Sequence, residues 1–473
     1  MDTDTIAITF PEVKVNTKMK DLTFDALENM IFDITQTIAC KVFEKAITDI
    51  DGHLCNKRKR GLLKNTGKRK KYFLTRFGDI CYSRTRYKNK SGKSCYLLDE
   101  TLSIVKNQRI STSRAMIESY LATASSYREV VTQAKLLLGH FRSHEAVRQS
   151  VIKEAKDLIE AEKRRLQTIR NLNYPEAKAP KMAYLEADAT YLTLQKQNKR
   201  KLEVKVGVGY TGRESRYNTG SSRRLKEKFT FIGTGRRFME AFSLQAEAKL
   251  SLSHTKNIIF GGDGDNWITS GVKDYFPSAT YVLCLYHLYK RLRETLSRRK
   301  SEQKVIRDLL LSAKIDKALA EIDHFIRHPH DQKEKDQLVK LYTYLSRNRE
   351  GICNQCRLRE KKVDAAGAIE SNINQVIASR FKKRGMSWSR KGALSLLKVK
   401  ETILNGEWDT WWRTQRRQRI NVGPIKLPLS ASHFKKVPET SPILEATIPA
   451  FSGPDQDKPW VSVLRKLNQV SYV

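Results

Sequence analysis

The sequence predicts an α/β protein in which a mixed β-sheet core carries an all-helical insertion and follows a helical and β-hairpin region. Three observations predict this class. Short apolar strands alternate with amphipathic helices over 181–287, a series of helical patterns fills 288–360, and a further helical pattern covers 361–405. Changes between period-2 and period-3.6 patterning at these points indicate a sheet core that is interrupted by helices.

The charge of the chain indicates the kind of partner it binds. Its 473 residues include 89 lysines and arginines but only 51 acids, which leaves a formal charge of +38. Self-repulsion makes such an excess unfavourable unless an anionic partner neutralises it. The composition therefore predicts nucleic-acid binding, in a chain long enough for several domains.

Cysteine usage and hydropathy bear on the compartment. The seven cysteines are odd in number and scattered, which argues against a disulfide framework and predicts a reducing cytoplasm. The chain has no apolar run of about 18 residues, and its first residues are polar and acidic, unlike those of a signal peptide. We therefore expect a cytoplasmic protein without a membrane partner.

The first predicted region, 1–110, combines a helix, a basic arm and a β-hairpin. Apolar residues recur at helical spacing over 18–50, with Asp21 or Thr23 as the N-cap, and alternation over 72–87 predicts the hairpin. Between them lies a flexible arm in which nine of sixteen residues are basic, as expected of a segment that grips phosphates and releases counterions. The predicted DNA-binding residues here are Lys57, Arg58, Lys59, Arg60, Lys68, Arg69, Lys70 and Lys71 in the arm, and Arg84 and Arg86 in the hairpin.

The second predicted region, 111–172, holds three helices. Ser111 or Ser113 would cap the first helix, Gly139 would end the second, and Ser143 would cap the third. A glycine-containing turn before a serine-capped helix matches a helix-turn-helix, although an ordinary three-helix bundle fits the same spacing. The net charge favours DNA binding. The residues expected to face a DNA groove are His144, Arg148 and Lys153.

The two segments 181–287 and 361–405 are predicted to form the catalytic core, on either side of the helical insertion 288–360. The order of their elements is three strands, a helix, a strand, a helix, a strand and a helix. This order matches the ribonuclease H-like fold, a mixed sheet flanked by helices in which two neighbouring strands carry aspartates at adjacent ends. A C-terminal tail, 406–473, follows; from Gly423 it lacks strong periodicity and is expected to be loosely docked or partly disordered.

Three acidic residues occupy the positions that a metal-dependent site would need in such a core. Asp188 closes an apolar strand, Asp263 follows another strand through two glycines, and Glu370 lies in a helical pattern. Divalent cations bind carboxylate oxygens, and two of them can hold the attacking and the leaving oxygen of a phosphoryl transfer. We therefore expect these carboxylates to bind two Mg²⁺ or Mn²⁺ ions, whereas the oxygen donors disfavour zinc.

Two further acids are close enough in sequence to compete for the metal. Glu186 shares the strand face of Asp188 and is expected to support the site from behind it. Asp265, two residues after Asp263, is the stronger rival. Asp263 is preferred because it is nearer the strand end and its flanking glycines allow a metal to approach closely.

Several short motifs occur along the chain. The N-terminal half holds them at 78–87, 97–100 and 126–128; the core holds Gly-Asp-Gly at 262–264 with Trp267, Cys-Leu-Tyr-His at 284–287, Gly-Ala-Ile-Glu-Ser at 367–371 and Arg-Gly-Met-Ser-Trp at 384–388. With these motifs, in this order over roughly 55–400, the sequence resembles bacterial insertion-sequence transposases of the Lre type, a branch of the mutator-like DDE superfamily.

The resemblance implies a ribonuclease H-like core with an all-helical insertion before the glutamate. It matches Asp188, Asp263 and Glu370 to the family's acidic triad, and it matches Cys284 and His287 to a Cys/Asp-x-x-His signature near the active site. Asp265 stands where a small residue is more usual. The auxiliary residues expected are Asp265, Glu186, Cys284, His287 and Asn372, and the DNA-binding residues expected after the glutamate are Lys382, Lys383 and Arg384.

The pair Cys284 and His287 also raises the question of a zinc centre. Cys353 and Cys356 offer a second half-site, and two such halves can build one. The family pattern accepts aspartate at the first position, which does not suit a structural thiolate site. We therefore expect His287 to orient DNA or a metal-bound carboxylate, with the other two cysteines as ordinary helix residues.

These observations predict a DNA transposase that cleaves the ends of an insertion sequence and joins their 3′-hydroxyl groups to target DNA by two-metal-ion catalysis. The expected partners are double-stranded DNA, as terminal inverted repeats and as target, and further copies of the chain, because two ends must be held together. A bacterial, nucleoid-associated location would follow. Two alternatives stay open: a metal-dependent nuclease without strand transfer, and a non-catalytic DNA-binding protein.

Overall fold

A computed structural model describes residues 23–58, 61–171, 179–195, 201–215, 223–361, 363, 367–382 and 385–416 of the chain. These residues form a mixed α/β protein with many helices and a five-stranded mixed sheet, which confirms the predicted class. No helix within these ranges is long and apolar enough to cross a membrane. Of the predicted tail, 417–473 falls outside the described residues.

The N-terminal region packs one long helix against a small antiparallel sheet. Helix α1 (Phe24–Lys57) begins where Thr23 accepts a hydrogen bond from the Ala26 amide, at one of the two predicted caps. The region continues with β1 (Leu63–Leu74), β2 (Asp79–Asn89), β3 (Ser94–Cys95) and α2 (Leu97–Thr101). Buried Ile47, Phe73, Ile80, Tyr82 and Leu98 form its core.

The prediction of a flexible basic arm is wrong over most of its length. The arm belongs to β1, which pairs in register with β2 from Leu63 opposite Asn89 to Leu74 opposite Asp79, with one irregularity after Asn65. Backbone hydrogen bonds to β2 hold the strand whatever its side chains, so a run of exposed cations does not prevent it from forming. Lys59 and Arg60 lie outside the described residues.

Three helices follow, as predicted: α3 (Thr112–Ala122), α4 (Tyr127–Leu138) and α5 (His144–Arg170). The serine cap of α4 was not predicted. Ser111, Ser126 and Ser143 each accept a hydrogen bond from an amide in the first turn, and Gly139 ends α4 in the left-handed conformation. The inner face of α5 lies in the same hydrophobic cluster as the central sheet, so these helices pack on the core. A helix-turn-helix within them stays a prediction.

The central sheet contains every strand predicted for the core. Its strands are β4 (Met182–Thr193), β5 (Lys201–Tyr210), β8 (Phe229–Gly233), β9 (Asn257–Gly262) and β10 (Ala279–Leu283). They lie in the order β10-β9-β4-β5-β8; the first three are parallel and the others antiparallel. A small hairpin that was not predicted, β6 (Gly212–Ser215) and β7 (Arg223–Lys226), lies between β5 and β8 in sequence.

Helices cover both faces of this sheet. One face packs aromatic residues against α6 (Phe238–Leu250) and α7 (Asn266–Tyr275). The other packs against α5 and α14 (Arg390–Leu404). On this second face the buried Lys398 pairs with Glu401 and Glu162, which joins α14 to α5.

The predicted insertion is helical throughout. It consists of α8 (Leu285–Thr295), α9 (Lys300–Leu311), α10 (Ile315–Arg327), α11 (Gln332–Arg347) and α12 (Arg349–Glu360), and it has a hydrophobic core of its own. Helix α12 anchors it to the edge strand β10, where the Asn354 side chain donates a hydrogen bond to the Tyr281 carbonyl at 3.0 Å. The insertion is therefore held against the end of the sheet where β9 and β10 terminate.

The chain then returns to the core through a short helix of changing pitch. Helix α13 (Ile369–Ile373) continues as a π-helical segment (Asn374–Lys382). The following loop is tied to β4, because the Trp388 amide donates to the Thr193 carbonyl at 2.9 Å. After α14 comes α15 (Trp408–Arg416), which was not predicted.

Candidate active site

The two aspartates of the predicted triad lie just past the point where β4 and β9 stop pairing. Asp188 does not close its strand as predicted, because β4 continues to Thr193 in its pairing with β5. The parallel strands β4 and β9 last pair at Glu186 and Gly261. Asp188 lies two residues further along β4, and Asp263 lies two residues after Gly261, one residue past the end of β9; the charge of Asp263 acts on Asp188. Beyond Glu186, β4 keeps only β5 as a neighbour, with Asp188 opposite Val206. This unpaired side of β4 leaves room for a group of carboxylates.

The side chains of Asp188, Glu370 and His287 converge at this point. Across the described part of the chain they form the group of acidic, histidine or cysteine residues compact enough to share a metal ion, with one ligand atom from each within 4.8 Å of the others. His287 Nε2 is 3.7 Å from Asp188 Oδ2 and 3.9 Å from Glu370 Oε2. Asp188 is buried, whereas Glu370 is 47% exposed, so the site opens to the surface on the glutamate side.

The carboxylates oppose one another's ionisation. The pKa of Asp188 is raised to about 7, first by burial and then by the charge of Asp263, with Glu370 acting in the same direction and a hydrogen bond from the Ala189 amide opposing them. Burial also raises the pKa of Asp263. Acids held together in this way are stabilised by a bound cation, which makes the group a candidate metal site.

This pKa makes the stability of the metal-free protein depend on Asp188. Because the pKa in the folded protein lies above the ordinary value of 3.8, the stabilising contribution is present below about pH 4 and is lost as the pH rises through about 7. Asp188→Asn, which cannot ionise, is therefore expected to raise the Tm in EDTA by a few degrees at pH 8 and by clearly less at pH 5, where only part of the contribution has been lost. Calorimetry at both pH values checks this. With Mn²⁺ at pH 8, the wild type should instead have a higher Tm than Asp188→Asn. Equal Tm differences at the two pH values would contradict the raised pKa.

Glu186 holds the helix that carries Glu370. Its buried carboxylate accepts hydrogen bonds from the amides of Ala368, at 2.9 and 3.0 Å, and Ile369, at 3.0 Å, and from the Tyr210 hydroxyl at 2.7 Å. The amides at a helix start have no partner within the helix, so an acceptor there stabilises the start. Glu186 thus contacts the Glu370 helix and is turned toward its backbone.

Asp263 lies in a tight loop between β9 and α7 that the insertion holds in place. The Tyr344 hydroxyl of α11 donates to the Asp263 carbonyl at 2.8 Å. The Asp265 amide donates to Asp263 Oδ1 at 2.9 Å. Gly264 has a φ of +91°, and a Cβ there would lie 2.7 Å from the Asn348 side chain, so the loop requires glycine on both counts.

Asp265 is less suited to bind the metal than Asp263. It is exposed and precedes α7, and its side chain makes no capping hydrogen bond. We expect Asp263→Asn to weaken Mn²⁺ binding by more than the roughly tenfold that loss of an outer partner causes. Asp265→Asn should change it by less than about threefold, because an exposed charge is well screened. Calorimetric titration of both variants with Mn²⁺ measures the difference. A larger loss of Mn²⁺ affinity in Asp265→Asn than in Asp263→Asn would make Asp265 the metal ligand.

The two half-sites for zinc do not come together. Cys284 and His287 begin α8, whereas Cys353 and Cys356 lie in α12, where the Cys356 thiol donates to the Leu310 carbonyl at 3.3 Å. Among the residues described, neither of these α12 cysteines joins His287 in a ligand group. Burial raises the pKa of the Cys284 thiol, although the His287 amide offsets part of this effect. His287 therefore meets carboxylates and not thiols.

The basic residues predicted on the hairpin divide into exposed and structural ones. Residues 68–70 are exposed on β1, whereas Lys71 is buried 3.5 Å from Asp99. Arg84 also pairs with Asp99, and its guanidinium stacks 3.7 Å from the centre of the Tyr96 ring. The pKa of Lys71 is lowered to about 8 by burial and then by Arg84. Lys71 and Arg84 thus stabilise the hairpin, whereas the exposed residues 68–70 remain available to a phosphate.

The other predicted DNA-binding residues are spread over the molecule. Lys57 and His144 are exposed, Arg58 donates to Cys55, Arg86 donates to Ser94, Arg148 pairs with Glu145, and Lys382 contacts the Thr190 hydroxyl. Lys383 and Arg384 lie outside the part of the chain that the structure describes. DNA contact by these side chains stays a prediction.

Several residues that support the site were not predicted. Tyr210 and Tyr344 each donate a hydrogen bond to a site residue, across 24 and 81 positions of sequence respectively. Arg291 stacks 4.1 Å from the centre of the Tyr344 ring, and its charge counteracts the raised pKa of Asp263. Asn372, predicted as auxiliary, donates to the Ala368 carbonyl at 2.7 Å and so fixes the start of α13. No local pattern in the sequence marks such long-range contacts.

Comparisons with known proteins identify the relatives of the chain. The model of an uncharacterised protein family (UPF0236) matches residues 17–418. The UPF0236 protein in the vanSb 3′ region of Streptococcus gallolyticus is 25% identical over 395 residues, covering 81% of this chain and 85% of the relative. A UPF0236 protein of Caldanaerobacter subterraneus subsp. tengcongensis is 24% identical over 417 residues, covering 86% and 84%. Another from the same strain, whose name joins eleven designations, is 24% identical over 409 residues.

These matches correct the family assignment made from sequence motifs. The assignment to the Lre-type branch of the mutator-like DDE superfamily was wrong, because the matching model and the relatives above are described only as UPF0236. The motifs were short and were judged by their order, which is weaker than a match along most of the chain. An activity must therefore be argued from the site itself.

Proposed function

We propose that this chain, which belongs to the UPF0236 family, is a DNA transposase that cleaves the ends of a mobile element and joins the 3′-hydroxyl groups to target DNA. One observation carries the proposal: the Glu370 and His287 side chains converge on Asp188, and Asp188 and Asp263 each lie two residues beyond the last pair of two parallel strands. A group of carboxylates that opens to the surface of a basic protein suits the transfer of phosphoryl groups in nucleic acid.

The sheet supports a ribonuclease H-like core as the framework of this activity. Three antiparallel strands come first in the chain, and the next two strands add in parallel to the side of the first, in the order β10-β9-β4-β5-β8. Asp188 lies on the first of these strands and Asp263 follows the fourth, which are neighbours in space. The helical insertion then precedes Glu370.

The donor set fits two divalent cations of the magnesium or manganese type. Asp188 and Glu370 converge with His287 Nε2, and Asp263 would add a carboxylate from the adjacent loop. The nitrogen suits Mn²⁺ better than Mg²⁺. When bound, such ions would lower the pKa of the attacking water or hydroxyl and stabilise the leaving oxygen. A general base from the protein is then not required.

The chain's own residues hold this arrangement rigid. Glu186 fixes the start of the helix that carries Glu370, and Tyr344 holds the backbone of Asp263 from the insertion. The half-exposed Glu370 stands at the open side of the site, where a DNA strand can reach it. Reacting groups that are held in place before substrate binds lose less entropy on the way to the transition state.

Two further observations favour DNA as the substrate. The formal charge of +38 suits a polyanion, and the exposed cations at 68–70 lie on a strand that could follow a phosphate backbone. A helix-turn-helix in α4 and α5 would read the element ends, and a dimer or larger oligomer would hold two ends together.

A strand-transfer assay tests the proposal. Purified protein with Mn²⁺ or Mg²⁺ is given a linear donor, cut from the DNA that flanks its own gene, and a supercoiled target plasmid. We expect covalently joined donor–target products that disappear in EDTA. Donor cleavage without joining would indicate a nuclease instead, and DNA binding without either product would indicate a non-catalytic protein.

A further inference from the structure

A cavity of about 600 Å³ lies between the Asp263 loop and helix α11 of the insertion. Gly264 and Asp265 form part of its wall, so it begins one residue from the candidate active site. On the opposite side, α11 presents Lys340, Thr343, Tyr344, Arg347 and Asn348, whose spacing of three and four residues places them on one helix face. Asp188 and Glu370 do not line this cavity, so the candidate metal site does not account for it.

The cavity wall has the charge of a site for phosphates. Lys340 and Arg347 are both exposed on α11, and Arg291 lines the cavity from α8. Arg347 Nη1 donates to the Asn266 side chain at 2.9 Å, which holds the guanidinium at the rim. Arginine binds phosphate oxygens through a planar fork of donors. A single acid, Asp265, faces these three cations within the cavity.

The interior of the cavity has the chemistry of a site for a base. Asn348 is 2% exposed, and its Oδ1 has no hydrogen-bond partner among the residues described. The indole Nε1 of Trp267 is buried and also lacks a partner within the described ranges. Both residues nevertheless line the cavity, and the indole ring of Trp267 offers a planar aromatic group beside the cations, which is the kind of surface on which a base stacks.

We infer that this cavity binds an unpaired nucleotide of a DNA strand that enters the active site, with its phosphate on Lys340 and Arg347 and its base beside Trp267. The inference rests on the proposed function, of which it names the substrate form. A volume of about 600 Å³ accommodates a ligand of nucleotide size but not a duplex. Aromatic side chains beside a cationic groove are typical of single-strand binding.

The helical insertion then has a function beyond support. Its core packs on β10, while the face of α11 that carries Tyr344 fixes Asp263 and also bounds the cavity. One helix face would thus position both an acidic residue and the adjoining nucleotide.

Binding of short DNA in the absence of catalysis tests the inference. The full chain in EDTA is titrated with a fluorescent eight-nucleotide single strand and with a blunt duplex. Lys340→Gln combined with Arg347→Gln should weaken single-strand binding by about tenfold or more, because two phosphate contacts are lost. Lys335→Gln, an exposed residue of α11 that does not line the cavity, is the matched control and should change it by less than about twofold. Duplex affinity should change much less in both proteins.

Tryptophan fluorescence gives a second readout that does not depend on the charge variants. Single-strand binding should quench the emission of Trp267, and Trp267→Phe should remove most of that quenching. Equal single-strand affinities of the double variant and the Lys335→Gln control would overturn the inference, as would equal losses for single strand and duplex. If the wild type joins DNA but shows either of these results, the inference alone fails. If the expected binding is seen but no metal-dependent reaction occurs, the proposed function fails and the cavity remains a single-strand site.

Discussion

Glu370→Gln or Asp188→Asn is expected to lower metal-dependent cleavage and joining of DNA by about a thousandfold or more, while leaving DNA binding in EDTA within about twofold. Bound cations stabilise the charge of the transition state by several kcal/mol, and each 1.36 kcal/mol changes the rate about tenfold. Loss of one metal ligand is therefore expected to lower the rate by about a thousandfold or more. The converging geometry of Asp188, Glu370 and His287 is the reason to expect this.

The measurement is a single-turnover assay with a precut donor end and with Mn²⁺ varied over a wide range. Asp274→Asn, on the exposed side of α7, is the matched control and should keep activity close to that of the wild type. Mn²⁺ binding by each protein, followed by calorimetry, separates loss of the ion from loss of DNA. Wild-type rates in both triad variants would remove these carboxylates from the reaction.

Glu186→Ala is expected to produce the largest loss of stability among the residues near the site, about 3 kcal/mol. The substitution leaves two buried amides at the start of α13 and the Tyr210 hydroxyl without their shared acceptor. A charged acceptor in a buried network contributes more than a neutral one, and its removal exposes the full desolvation penalty of its donors. The helix that carries Glu370 should then shift, with a loss of activity of about a hundredfold, since a displacement of about 1 Å can have that effect.

The two predictions differ in the state that they affect, which allows them to be separated. In EDTA, Glu186→Ala should lower the Tm markedly, whereas Glu370→Gln should not, because the half-exposed Glu370 makes its expected contribution only with metal bound. Tyr210→Phe is the graded control: it removes one of the hydrogen bonds to Glu186 and should destabilise by about 1 kcal/mol. A Glu186→Ala variant as stable as the wild type would mean that the carboxylate does not hold α13.

Local sequence patterns were sufficient to predict most of the helices and strands. Serine and threonine caps located the starts of α1, α3 and α5, because a cap acts on amides only two or three residues away. The strands β4, β5 and β9 were found because each is a short apolar run between turns. The errors occurred where the stabilising partner is remote, as for β1, whose cations concealed a strand that β2 holds by backbone hydrogen bonds.

The candidate site likewise combines residues that local patterns predict with contacts between remote parts of the chain. Asp188, Asp263 and Glu370 could be selected from the sequence because strand ends and helix patterns are local properties. The sequence could not show that Glu186 turns toward α13, 182 residues further along the chain, or that Tyr344 reaches back 81 residues to Asp263.

By itself, then, the sequence determined the charge of the protein, the type and order of its core elements, and the acids placed at their ends, since these depend on residue chemistry and short-range periodicity. Only the tertiary structure decided which acids meet, that His287 lies among carboxylates and apart from the α12 cysteines, and that the insertion closes a cavity beside Asp263. The physical reason is that register between strands and packing between helices depend on the whole chain, and a contact across many residues leaves no periodic trace in any one segment.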